Sequence, residues 1–158
     1  WVGVEFQRVP RSGGLRWGSG LMVTKDTIPA DPVWLVRFPF SVESKTRDSI
    51  NFQELILDQK SEIWSFWEQS KADSERVNKI PIVFFRYNFL KKGLYFVVVS
   101  WEVFKCIRKP IKKTQGDIEY FNYSNRIVIF PSNYLLETDY LQIEKTIKHL
   151  ANGKDSDN

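Results

Sequence analysis

The residues of this 158-residue chain that could most readily carry out chemistry are Glu43 and Lys45, in a β-prone stretch over residues 40–46. Alternation along a strand places both side chains on one face and their neighbours on the other. A carboxylate can hold a hard divalent cation such as Mg²⁺ through oxygen. An ammonium beside it can orient an attacking water or stabilise charge that develops on a phosphate. The alternative is an ordinary ion pair on a solvated sheet face, so the interpretation depends on the rest of the sequence.

Composition limits the classes of protein to which the chain can belong. Its residues are 42% hydrophobic and 15% aromatic, which is enough for a core, so 158 residues suit one domain. We expect this domain over residues 1–151 and a polar, disordered tail over 152–158. The 23 basic and 19 acidic residues give a net charge of +4. That mild basic bias permits an anionic partner without requiring one.

Cysteine and histidine content excludes several kinds of site. Cys106 is the only cysteine and His149 the only histidine. An intrachain disulfide and a Cys/His zinc site are therefore excluded, and a Ser-His-Asp triad is not expected. The sequence has no apolar run of transmembrane length and no signal segment. It therefore predicts a cytoplasmic protein with no membrane partner.

The segment before the Glu43 strand combines small residues with arginines. Residues 2–9 are β-prone and are followed by Pro10, and residues 11–20 form a loop rich in glycine and serine. Glycines let backbone N–H groups approach a phosphate closely, and arginines supply positive charge. Such a loop can equally be a mobile connection between strands. Phosphate binding and a simple connection both remain open on local composition.

Hydrophobic periodicity predicts the elements that would position these groups. We expect strands over residues 21–24, 33–46 with an interruption at Pro39, 82–85, 94–99 and 126–130. We expect helices near residues 52–56, capped by Ser49 or Asn51, after Ser61, and over 140–150. Trp64 and Trp67 in the second helix are interpreted as core residues. The basic run 105–113 is interpreted as a solvated loop.

The order of these motifs resembles the PD-(D/E)xK nuclease superfamily. Residues 8–14, then Gly18-Ser19-Gly20 leading into a strand, then Val42-Glu43-Ser44-Lys45 followed by a helix carry the resemblance, which covers about residues 2–99. Within the superfamily the chain most resembles phage-type and archaeal-type Holliday junction resolvases. The resemblance implies an α/β, restriction-endonuclease-like core, a central mixed β-sheet flanked by helices, with a C-terminal strand and helix extension over about 100–151. It also implies hydrolysis of DNA phosphodiesters with Mg²⁺ or Mn²⁺, in a bacterial or phage-infected cell, by a possible homodimer.

The resemblance assigns roles to individual residues. Glu43 would be the metal carboxylate, Lys45 the catalytic lysine and Ser12 a loop serine at the scissile backbone. Gln53, with Glu54 beside it, would be a polar helper after the motif. The residues that we expect to bind DNA are Arg8, Arg11, Ser12, Gly13, Arg16 and Arg47, with the loop arginines and the basic run 105–113 forming one positive surface.

One position departs from the pattern. The superfamily has an acidic residue at the head of the second strand, where this chain has Leu21, and leucine cannot bind a metal ion. Asp26 and Asp31 lie within the permitted spacing before Glu43, and Asp26 is the candidate second ligand. Either the carboxylate has moved along the chain or this protein is impaired as a nuclease.

Three functions follow as hypotheses of different classes. The first is a metal-dependent DNA endonuclease, resembling enzymes that resolve Holliday junctions or other branched DNA. The second is a nuclease-fold protein that binds DNA without cleaving it, which Leu21 would favour. The third is an α/β interaction domain in which Glu43 and Lys45 only pair.

Overall fold

A computed structural model describes residues 6–8, 15–16, 22–23, 27–29, 37–57, 61–124 and 126–152, with only the backbone described before residue 37. The strands are β1 (Phe6–Arg8), β2 (Leu15–Arg16), β3 (Met22–Val23), β4 (Thr27–Pro29), β5 (Phe40–Arg47), β6 (Ile80–Tyr87), β7 (Phe96–Ser100), β8 (Phe121–Tyr123) and β9 (Ile127–Pro131). The helices are α1 (Phe52–Leu57), α2 (Glu62–Arg76), α3 (Trp101–Gln115), α4 (Ser132–Leu136) and α5 (Tyr140–Asn152).

Within the described residues, the central sheet has seven strands in the order β1-β4-β5-β6-β7-β9-β8. β5 and β6 are parallel, and the other neighbours are antiparallel. β2 and β3 form a separate two-stranded ladder. The predicted α/β fold with a mixed sheet flanked by helices is confirmed, and it is compatible with a restriction-endonuclease-like core. Among the described helices, none is long and apolar enough to cross a membrane.

β5 is shorter than the sequence predicted. We expected a strand from Val33 with an interruption at Pro39, but Arg37 is helical and the strand begins at Phe40. Pro39 has no N–H to give to a ladder, which explains why pairing starts after it. Its carbonyl still accepts a hydrogen bond from the Ile80 N–H at 2.8 Å. This bond joins the starts of the two parallel strands.

The two faces of the sheet are covered by different helices. One face packs against α1 and α2 through Leu55, Ile63, Phe66, Trp67, Val83, Phe85, Val98, Ile127 and Ile129. The opposite face packs against α3, α4 and α5, and its buried residues include Phe40, Val42, Ile82, Val97, Val99, Phe104, Ile107, Phe130, Leu135 and Ile143. Because Phe40 and Val42 belong to the second face, alternation along β5 places Ser41, Glu43 and Lys45 on the first.

The expectation that residues 105–113 form a solvated loop is wrong. They lie within α3, whose side chains Val103, Phe104, Ile107 and Ile111 are buried on the sheet. The Ser100 hydroxyl caps the helix by accepting from the Val103 N–H at 3.3 Å. Four buried apolar side chains outweigh the single helical hydrogen bond that Pro110 removes. The basic side chains of this run therefore project from the sheet face opposite to Glu43 and Lys45.

Other differences are smaller. β6 and β9 extend past the predicted segments, to Tyr87 and Pro131, and β7 starts two residues later than predicted, at Phe96. The predicted C-terminal helix is confirmed as α5. The tail beyond Asn152 lies outside the described residues.

Candidate catalytic site

Glu43, which is buried, and Lys45, which is partly buried, form an ion pair on β5 that we call the buried pair. The Lys45 Nζ lies 2.6 Å from the Glu43 Oε1, and the two side chains are 20% and 5% exposed respectively. Taking two charges out of water is costly, and such a pair persists only when each charge is well matched. The contact shows that the two side chains lie on one face of the strand, as their spacing predicted.

Helix α2 holds Lys45 in place. The Lys45 Nζ donates to the Gln69 Oε1 at 3.2 Å and lies 5.8 Å from the centre of the Phe66 ring. Phe66 and Gln69 are three residues apart and therefore share one face of the helix. Ser61 caps the helix by accepting from the Ile63 N–H at 3.4 Å. Gln69 was not singled out from the sequence, and its only signal there is its spacing from a buried aromatic residue.

Arg47 continues the row of charged side chains toward solvent. Its Nε lies 3.1 Å from the Glu62 Oε1, and its Cζ lies 4.7 Å from the centre of the Phe66 ring. Side-chain exposure rises along the strand from 5% at Glu43 to 20% at Lys45 and 40% at Arg47. An anion that approached this end of β5 would meet Arg47 first and the buried pair last.

Two buried hydroxyl groups lie on the elements that enclose the pair. Ser41 precedes Glu43 by two residues on the same strand face, and Ser70 follows Gln69 on α2. Within the described part of the chain, neither Oγ atom has a hydrogen-bond partner. Buried polar atoms are normally satisfied, so an unpaired Ser41 oxygen on the same strand face as Glu43 is compatible with a bound water on that face.

The oxygen donors of this region suit a hard cation only in part. Carboxylate and hydroxyl oxygens are the ligand type that Mg²⁺ prefers. Yet the described residues contain no group of three His, Cys, Asp or Glu side chains that could hold a metal ion. Glu43 is thus a suitable ligand, but the described residues do not by themselves form a cluster of three such ligands around it.

The strand that pairs with β5 on its other side is β4. Thr27 is the antiparallel partner of Val42. β3, which directly follows Leu21 in the chain, pairs instead with β2, with Met22 opposite Arg16. The strand beside Glu43 is therefore Thr27–Pro29 and not Met22–Val23.

Several predicted site residues lie outside the described residues, namely Arg11, Ser12, Gly13, Leu21, Asp26 and Asp31. Arg8 and Arg16 are described by their backbone only, in β1 and β2, and Arg8 is the partner of Thr27. We predict that the loop over residues 11–20 lies close to Glu43 and that these residues bind DNA or metal, and both statements stay predictions.

Gln53 is exposed in the first turn of α1. Its backbone N–H donates to the Asn51 Oδ1 at 3.0 Å, and the Glu54 Oε1 accepts from the Asn51 Nδ2 at 3.0 Å. Asn51 is thus the N-cap, which was one of the two predicted. The hydrogen bond that Lys45 makes is to Gln69, so the structure offers Gln69 as the polar neighbour of the lysine.

Comparison with known proteins gives one family. A family model described as "Phage putative PDDEXK endonuclease" matches residues 1–137. The match includes α2 and every described strand, so it covers the whole described sheet. Searches of the curated proteins and of the solved structures return no significant match.

Proposed function

The chain belongs to the phage PDDEXK endonuclease family, and on that premise we propose that it is a metal-dependent DNA endonuclease whose catalytic centre contains Glu43 and Lys45. The observation that carries the proposal is the buried ion pair, with 2.6 Å between the Lys45 Nζ and the Glu43 Oε1. A chain that needed only a stable strand could have placed apolar residues here, because the β6 partners are Val83 and Phe85. The desolvation cost of placing two charges here supports a functional role for the pair.

Each residue of the pair has a distinct role in this proposal. Glu43 would hold Mg²⁺ or Mn²⁺, which when bound supplies a polarised phosphate and an activated water. Lys45 keeps its ammonium beside the carboxylate, where it can donate to a phosphate oxygen or orient the attacking water. Gln69 is a positioning residue, because it accepts from the Lys45 Nζ and restricts where the ammonium can lie.

We propose Asp26 as the second carboxylate. In an antiparallel pair, the residue before one partner faces the residue after the other, and facing side chains share a sheet face. Thr27 is the partner of Val42, Asp26 precedes Thr27 in the chain, and Glu43 follows Val42. Leu21 is next to β3, which pairs away from β5. This proposal makes the chain active as it stands, with the carboxylate moved along the sequence.

The DNA would lie along the exposed end of β5. Arg47 is the outermost charged residue of the row there, and we propose that Arg8, Arg11, Ser12, Gly13 and Arg16 contact the backbone of the same DNA. The resemblance to junction resolvases supports branched DNA as the substrate and a homodimer as the active form, within the infected cell. We propose both on that basis.

A cleavage assay on three proteins tests the assignment of the second ligand. End-labelled duplex and four-way junction DNA are incubated with Mg²⁺, Mn²⁺ or EDTA and the unmodified chain, Asp26→Asn or Leu21→Asp. We expect cleavage by the unmodified chain, a loss of about 10³-fold or more in Asp26→Asn, and little change in Leu21→Asp. Faster cutting of the junction than of the duplex would support the branched substrate.

Two results would contradict the proposal. If the unmodified chain did not cut and Leu21→Asp did, the protein would be an impaired nuclease with its ligand position at Leu21. If none of the three proteins cut DNA but all bound it, the function would be binding without chemistry. Circular dichroism of each variant excludes misfolding as the cause of a loss.

A further inference from the structure

An aromatic side chain stands in solvent at the tip of the turn between β6 and β7. Phe89 is 91% exposed, far more than any other large hydrophobic side chain that the structure describes, the next being Leu141 at 47%. Burying a phenylalanine side chain normally stabilises a fold by about 1.5–3 kcal/mol. Phe89 makes no such contribution, so its side chain is available to a partner.

The turn that carries Phe89 is braced on both sides. The Leu90 N–H donates to the Tyr87 carbonyl at 3.1 Å, and the Leu94 N–H donates to the Lys91 carbonyl at 3.0 Å. The Asn88 Nδ2 donates to the Asp48 Oδ1 at 2.7 Å and so ties the turn to the residue that follows β5. A rigidly presented side chain loses little conformational entropy when it binds.

The turn lies at the same end of the sheet as Lys45 and Arg47, the outer charged residues of β5. β5 and β6 are parallel, with Lys45 opposite Phe85 and Arg47 opposite Tyr87. Phe89 is four residues beyond Phe85 and lies in the turn after the strand, so it is at most about 13 Å farther along, within about four base steps of one DNA strand. A DNA whose phosphate reached Lys45 would extend to the turn.

Positive charge flanks the exposed ring. Lys91 and Lys92 are both exposed, and neither forms an ion pair within the described part of the chain. An aromatic ring with adjacent ammonium groups matches nucleic acid, because bases stack on the ring while phosphates attract the cations. Apolar side chains that proteins insert between bases unstack one step and bend the DNA.

We propose that Phe89 is a wedge that stacks on an unpaired or unstacked base of the DNA substrate, while Lys91 and Lys92 contact the neighbouring phosphates. This inference rests on the proposed function, because it names the part of the substrate that the nuclease selects. Unstacking costs least where pairing is already interrupted. The wedge therefore favours branched or distorted DNA over plain duplex.

The test measures binding and base unstacking without cleavage. The full chain carries Glu43→Gln, and its partners are a four-way junction with 2-aminopurine beside the branch point and a duplex of the same sequence. Phe89→Ala is compared with Tyr120→Ala, which removes an aromatic residue, 40% accessible, that directly precedes the edge strand β8 and contacts Phe104 of α3. Phe89→Trp tests whether any stacking ring suffices.

We expect Phe89→Ala to lose about tenfold or more in junction affinity, the size of one base–aromatic stack, together with the rise in 2-aminopurine fluorescence. Duplex affinity should change little, and Phe89→Trp and Tyr120→Ala should both match the parent. Equal behaviour of Phe89→Ala and Tyr120→Ala on the junction would overturn the wedge while leaving the nuclease proposal intact.

Two further outcomes would also overturn the wedge. A parent protein that binds neither DNA would overturn the proposed function together with the wedge. If Phe89→Ala abolished a concentration-dependent dimer in sedimentation without altering the fluorescence, the turn would be a self-association contact.

Discussion

Two ion pairs in this protein have the same separation and very different surroundings. The Lys45 Nζ lies 2.6 Å from the Glu43 Oε1, and the Lys105 Nζ lies 2.6 Å from the Glu102 Oε2. The side chains of the first pair are 20% and 5% exposed, whereas those of the second are 47% and 65% exposed. Separation alone therefore does not distinguish a candidate catalytic pair from a surface pair, but burial does.

The two pairs lie on opposite sides of the sheet. The buried pair is on β5 beneath α2, and the exposed pair is on α3, which packs on the other face. An exposed pair gains about 0–1 kcal/mol, because solvent screens it and two long side chains must be ordered. A buried pair carries a desolvation cost of several kcal/mol, which its Coulomb attraction offsets only in good geometry. Stability alone therefore explains the buried pair poorly, which supports the catalytic role proposed for it.

The largest expected difference between the pairs is in catalysis. Glu43→Gln keeps the size of the side chain but removes its charge, so we expect single-turnover DNA cleavage to fall by about 10³-fold or more. Glu102→Gln makes the same chemical change on the other face and should leave the rate unchanged. Quenched-flow or gel-based cleavage at saturating protein measures both. Similar rates in the two variants would remove Glu43 from the catalytic centre.

The next difference is in stability. Lys45→Met leaves the Glu43 carboxylate buried without its cation and should lower the free energy of unfolding by about 3–5 kcal/mol. Lys105→Met removes the exposed partner and should cost less than about 1 kcal/mol. Urea denaturation gives both values. The double variant Glu43→Gln with Lys45→Met should recover most of the loss, and a double variant as unstable as Lys45→Met would show that packing, not charge, was responsible.

A smaller difference is expected in how variants of the two pairs respond to divalent cations, measured as a shift in melting temperature. A ligand present at ten times its dissociation constant for the folded state stabilises that state by about 1.4 kcal/mol, or about 4 °C in a chain of this size. We expect Mg²⁺ to raise the melting temperature of the unmodified protein and of Glu102→Gln by that amount. The shift should vanish in Glu43→Gln and in Asp26→Asn. A shift that persisted in Glu43→Gln would place the cation elsewhere.

Local sequence patterns predicted the region of the buried pair well. Glu43 and Lys45 share a face because strand alternation depends only on adjacent residues. The C-terminal helix also follows from periodicity within a single segment, whereas the α/β class was implied by the family resemblance. The partner of Lys45 could not be predicted, because Gln69 is 24 residues away and meets the strand only through the packing of α2.

Helix α3, which carries the exposed pair, was not predicted from the sequence because charged residues dominate that segment. The basic residues between Lys105 and Lys113 and the proline at 110 obscured the buried positions of α3, which are spaced at one, three and four residues. That spacing is helical and was present in the sequence. The strand start at Phe40 was missed for a different reason, because it depends on where Pro39 meets β6 and not on the composition of the run.

The smallest expected effect concerns the positive charge of α3. The helix has five basic residues and one acidic residue, so its net charge of +4 equals that of the whole chain. Its exposed cations include Lys109 and Lys113, on the face of the sheet opposite to Glu43. From that face they can attract DNA toward the proposed cleavage site only through the long-range field, which salt screens.

Two double variants with the same change in charge test whether the α3 cations act on DNA only through the long-range field. Lys109→Gln with Lys113→Gln should slow association with DNA by less than about threefold at low salt, with no change in the cleavage rate of bound DNA. Lys91→Gln with Lys92→Gln, which removes the same two charges beside Phe89, should also reduce the dependence of log affinity on log salt by about 1 to 2, because direct phosphate contacts are lost. Stopped-flow association and titrations at several salt concentrations distinguish the two. If the Lys109 and Lys113 variant lost more of its salt dependence than the Lys91 and Lys92 variant, the DNA would lie on the α3 face. The buried pair on β5 could not then be the centre that cuts it.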